Sequence, residues 1–111
     1  MERIESSRTD DDAIEMEIKR KGLIAARITP QRISDVIVSE QYHVFDGTML
    51  TVCVLTLRNG FTVTGESACA SPENFDAEIG RKIARENARQ KIWALEGYLL
   101  RETLHAAGSE S

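Results

Sequence analysis

A chain of 111 residues, 41% of them hydrophobic, can bury one modest core, so a single domain is the default. A formal net charge of −4 excludes a protein that coats a nucleic-acid polymer or an anionic membrane through its overall field, so any bound anion must meet a local basic patch. Apolar runs such as Leu23 to Ala26 and Val52 to Leu55 are too short for a membrane span or a signal-peptide core, which predicts a cytoplasmic protein.

Met1 to Thr9 are polar without an apolar period, and a frayed segment is expected there. From Asp10 the order is acids first, bases last and then Gly22, which predicts a helix with a glycine stop. Helix-start chemistry accounts for Asp10 to Asp12 more simply than a metal site. Thr29 followed by Pro30 reads as an N-cap with proline at the first helical position. This opens a short helix with Ile33, Val36 and Ile37 on one face, ending near Ser39.

Two turn signals, Asp46-Gly47 and Asn59-Gly60, separate three runs rich in strand formers and predict a three-stranded antiparallel meander. Its strands are expected at 40–45, 48–58 and 61–67. Both alternating sets of the second run are apolar, which makes it the central strand, covered on both faces. In a chain this small, one set of helices covers one face, so the second points to another subunit. Cys53 and Cys69 lack zinc-site spacing and are too few for a disulfide scaffold, and they read as reduced structural thiols.

Ser71-Pro72-Glu73 opens a last helical segment reaching about His105. At 100° per residue, Phe75, Ile79 and Ile83 form one stripe, and Ala84, Ala88, Ile92, Leu95 and Leu99 another. Either the segment breaks near Trp93 to Gly97, or one continuous helix buries one face on its sheet and another on a partner chain. The fold class is therefore α+β: a meander packed with an N-terminal helical segment and a long C-terminal one, in an oligomer. Residues 1–28 are an extension, partly helical or flexible; 29–105 are the domain; 106–111 are a flexible tail.

Arg81, Lys82, Arg85 and Arg89 share one broad helix face, either a phosphate-binding patch or a solvated surface, with Glu78 and Lys82 placed for an i,i+4 pair. Arg101 and His105 share a face near the helix end, where the dipole favours cations in any case. Phe75 suits base stacking or a core position. Asn87 in mid-helix implies either a structural hydrogen bond or a ligand contact. Arg58 sits beside the Asn59-Gly60 turn, within reach of a ligand or another subunit. The sequence has no nucleophile elbow, glycine-rich phosphate loop, Cys-x-x-Cys or His-Glu-x-x-His, so a non-enzymatic protein without cofactor is expected.

Ser39 to Tyr42, the run from Leu50 to Cys69, Asn74-Phe75-Asp76, Ala84 to Ala88, and Trp93-Ala94-Leu95-Glu96-Gly97-Tyr98 together resemble a family of small tailed-phage proteins, across roughly 29–104. Members of this family look like the first-described phage anti-Thoeris proteins, which act as sponges. The resemblance implies a protein of the infected bacterial cytoplasm that binds and holds, uncleaved, the cyclic ADP-ribose-type signal of a host TIR-domain enzyme. It also implies a hexamer built as a trimer of dimers, with separate sites for cyclic di- or trinucleotides of the CBASS system. The implied pocket combines an aromatic, an asparagine and arginines from the C-terminal helices of two subunits. The matching positions are Phe75, Asn87 and Arg101, with His105 where a further arginine is expected and Arg85 and Arg89 as substitutes. Arg58 is the candidate for the cyclic-oligonucleotide site. A phage accessory protein that binds a host protein is the alternative.

Overall fold

The computed structural model describes residues 2–22 and 25–108, with side chains from Asp11 onward. Helix α1 (Glu2–Arg20) is followed by α2 (Pro30–Asp35) and then by strands β1 (Ile37–Val44), β2 (Leu50–Leu57) and β3 (Thr62–Ala68). A 3-10 turn (Pro72–Asn74) and α3 (Ala77–Gly108) complete the chain. The strands form one antiparallel sheet in the order β1-β2-β3, the predicted meander.

Helix α1 starts at Glu2, where a frayed segment was expected, because Met1 to Thr9 lack an apolar stripe but hold no residue that breaks a helix. Gly22 ends this region with φ +72° and an N–H bonded to the Lys19 carbonyl. At the start of α2, Thr29 Oγ1 accepts the Arg32 N–H at 3.1 Å. The helix stops at Asp35 instead of near Ser39, since the β-branched run Val36-Ile37-Val38 favours extended backbone. β1 accordingly begins at Ile37, with an irregularity that leaves Val38 unpaired and exposed.

Both hairpin loops are longer than two residues. Gly47 and Gly60 have positive φ (76° and 92°), and no non-glycine does among the described residues. A two-residue type I′ turn needs positive φ at both central positions, so the Asp-Gly and Asn-Gly pairs form looser loops with glycine in the left-handed position. Around Gly60 the loop is closed by the Leu57 N–H on the Phe61 carbonyl at 2.8 Å, and Asn59 Oδ1 accepts the Phe61 N–H at 3.0 Å.

Thr51, Cys53, Leu55 and Leu57 of β2 are buried against α3, together with Val63 and Gly65 of β3. Ala84, Ala88 and Ile92 meet them from the helix, and Ile33 and Val36 close one end. Small residues let the layers approach: a Cβ on Gly65 would lie 2.2 Å from both the Ala84 carbonyl oxygen and the Ala88 nitrogen. The other side of β2, with Val52, Val54 and Thr56, is only half-buried. Within the chain, one face of the sheet is covered.

Of the two alternatives for the last helical segment, the break near Trp93 to Gly97 does not occur; the helix is continuous there, and only its start lies later than Ser71-Pro72, which opens a separate 3-10 turn. Phe75 is extended (φ −70°, ψ 128°), and Asp76 caps α3 by accepting the Ile79 N–H on Oδ1 at 3.0 Å, a role that Ser71 does not take. From Ala77 the helix is continuous through Trp93 and Gly97. It passes the expected end at His105 and enters the tail that was expected to be flexible, of which 109–111 lie outside the described residues. Beyond Glu96 it runs clear of the sheet, leaving Tyr98 72% and Leu99 52% exposed.

Candidate functional site

Two flanks of α3 carry the residues with binding chemistry. On the flank toward β1, Arg85 Nε donates to Glu40 Oε1 at 2.6 Å, and the same oxygen accepts the Tyr42 hydroxyl at 3.2 Å. Burial, with Cys53 and Glu40 alongside, pushes the Tyr42 phenol up to about 12. Burial also raises the Cys53 thiol, which keeps it protonated and removes the thiolate a nucleophile needs. Lys82 and Glu78 form the expected i,i+4 pair at 3.6 Å on the surface.

Arg89 is buried at 8% exposure. Its Nη2 donates to the Pro30 carbonyl at 3.2 Å, and its Nη1 lies 3.6 Å from Asp11 Oδ2. Arg85 and Arg89 are thus committed to carboxylates of the chain itself, and the four cations do not form one free phosphate face.

On the flank toward β3, Asn87 Nδ2 donates to the Glu66 carbonyl at 2.8 Å, tying the helix to the edge strand. Asn87, Ala94 and Arg101 recur at intervals of seven and share a stripe on this flank, with His105 one turn beyond Arg101. Arg101 and His105 are exposed. Ile83, one turn before Asn87, lines a shallow cleft of about 100 Å³ with Asn74, Phe75 and Ile79. At its floor Thr51 Oγ1 is buried without a hydrogen-bond partner. The helix rises about 36 Å between Ala77 and Arg101 at ~1.5 Å per residue. Phe75, Asn87 and Arg101 therefore lie along one flank but do not converge within one chain.

Arg58 lies elsewhere, at a groove of about 470 Å³ between the β2–β3 loop and the projecting part of α3. Phe61, Leu95 and Leu99 give it an apolar lining, and Arg32 and Glu96 form its polar wall through a 2.9 Å Nε–Oε1 ion pair. Glu96 is only 8% exposed. Sequence reading missed Arg32 and Glu96, although a signal was present: Glu96 continues the Ala84, Ala88, Ile92 series, and an acid at a core position requires a cation or a hydrogen-bond donor.

Among known proteins, the chain matches the model of a phage protein family, described as N4 Gp49/phage Sf6 gene 66, over residues 28–104. No curated protein and no solved structure matches it. Among the described residues no helix is long and apolar enough to cross a membrane. The matched segment holds every residue lining these two clefts, and His105 lies one residue past its end.

Proposed function

This chain belongs to the N4 Gp49/phage Sf6 gene 66 family of phage proteins, and we propose that it sequesters a cyclic nucleotide immune signal of the infected host without cleaving it. The signal is glycocyclic ADP-ribose or a close relative, with cyclic di- or trinucleotides as a second class. The site is shared between two copies of the chain. The observation that carries this reading is the placement of an aromatic, an amide and a cation along one flank of α3, too far apart to act within one chain. If two α3 helices lie antiparallel and cross near Ala88, Arg101 of each copy comes beside Phe75 of the other, and the two Asn87 side chains fall near the centre.

A ring for stacking, an amide for the ribose or base edge, and guanidiniums for the pyrophosphate form a donor set suited to an ADP-ribose ring. His105, one turn beyond Arg101, adds a ring nitrogen that can donate a hydrogen bond to a phosphate oxygen. The groove beside Arg58 suits the cyclic oligonucleotides. Charge reversal at Arg101 tests the reading. Arg101→Glu should weaken glycocyclic ADP-ribose binding by at least the ~1.5–3 kcal/mol of a charged hydrogen bond, with the fold unchanged by circular dichroism, because Arg101 is exposed. Unchanged affinity would remove the α3 flank from the site. The half-exposed Val52 and Val54 face also suits a host-protein partner. In that case Arg101→Glu would leave the activity against host defence intact.

A further inference from the structure

Helix α1 precedes the family-matched segment, and its acids meet two arginines, Arg27 in the connector to α2 and Arg89 in α3. Glu15 accepts two hydrogen bonds from Arg27, at 2.7 and 2.6 Å, and Asp11 faces Arg89. Asp11 and Glu15 are four residues apart in a helix, so their carboxylates are offered about one turn apart, ~5–6 Å between Cβ atoms. Each carboxylate meets one guanidinium, Glu15 that of Arg27 at 2.6 Å and Asp11 that of Arg89 at 3.6 Å. Arg89 is fixed within α3, and Arg27 immediately precedes Ile28, which packs on the core.

Trp93, the single tryptophan, stands between α1 and the domain. With Pro30, Ile28 and Gln90 it lines a cavity of about 230 Å³ beneath the helix. The grip of α1 is thin: Ile14 is 57% and Met16 65% exposed. The Asp11 contact is also poor, since its Oδ2 is buried and has no hydrogen-bond partner. Burial raises the Asp11 carboxyl above its ordinary range in spite of Arg89, whereas Arg27 lowers that of Glu15. One of the two bridges thus holds the helix, and the other is close to break-even.

We propose that α1 is a displaceable strap whose Asp11 and Glu15 carboxylates occupy a second anion site, formed by Arg27, Arg89 and Trp93. The ligand that fits is a compact small molecule with two phosphate or carboxylate groups and a flat ring to lie against the indole. Arg89 and Asn87 are two residues apart and project from nearly opposite sides of α3, so this site is separate from the flank described above and does not rest on it. The tethered carboxylates compete with a free ligand as an intramolecular one does, at millimolar effective concentration, which keeps the site masked until the ligand is abundant.

The test uses the full chain, Trp93 fluorescence and inorganic tripolyphosphate titrated at constant ionic strength. In the variant Asp11→Ala/Glu15→Ala, Trp93 emission should shift to the red, and tripolyphosphate should bind about tenfold tighter than to the wild type. Adding Arg27→Met should abolish that gain; Arg27 is partly exposed, so this change leaves the core intact. Unchanged emission in the double variant, unchanged affinity, or a gain that survives Arg27→Met would each overturn the proposal.

Discussion

Gly65 shows how one residue sets the distance between two layers. Its missing side chain lets α3 rest on β3, and a Cβ there would overlap helix backbone, which has no rotamer to escape into. Gly65→Ala should therefore cost more than the ~1–3 kcal/mol usual for overpacking, read as a fall in the denaturant midpoint at constant slope. Tyr42 makes a second residue-scale prediction. Its folded pKa, near 12, exceeds the ordinary 10.0, so the neutral phenol is favoured in the native state. The associated stability is complete below pH 10 and is lost as pH rises through about 12. Phenolate absorbance in a Tyr98→Phe background should show this late ionisation, and a midpoint near 10 would contradict it. Asn87 was legible as a residue needing a reason. Which reason was not, because the Glu66 carbonyl that it binds comes from a strand 21 positions away.

At the scale of elements, the meander was legible because glycine turns and strand runs are local signals. Its boundaries shifted where a β-branched run, Val36 to Val38, extended β1 toward α2. The start of α3 was misplaced because a local cap signal stood in the wrong place. Ser71-Pro72 looks like a helix start, but the helix proper is capped by Asp76, and only the extended Phe75 shows where the chain turns. Asp76→Ala should cost about 1 kcal/mol in chemical denaturation, whereas Ser71→Ala should cost little, since Ser71 makes no cap bond. Equal losses would mean that the turn and α3 behave as one helix. The pairing of Arg89 with Asp11 and of Arg32 with Glu96 lay beyond pattern reading. Each joins elements far apart in sequence, and an arginine in a helical repeat looks the same whether it faces water or a carboxylate.

For the whole molecule, one covered sheet face and a helix that runs past its sheet are the features on which the proposed two-copy site rests. In such an assembly the sheet would supply rigidity and α3 the site. A sponge works by stoichiometry, so it must match the signal in concentration and bind it far more tightly than the effector does. The most direct measurement is to load the purified protein with glycocyclic ADP-ribose, remove free ligand, denature it by heat and identify by mass spectrometry what is released. The account predicts intact glycocyclic ADP-ribose in near-stoichiometric yield; release of a cleaved product, or of nothing, would contradict it.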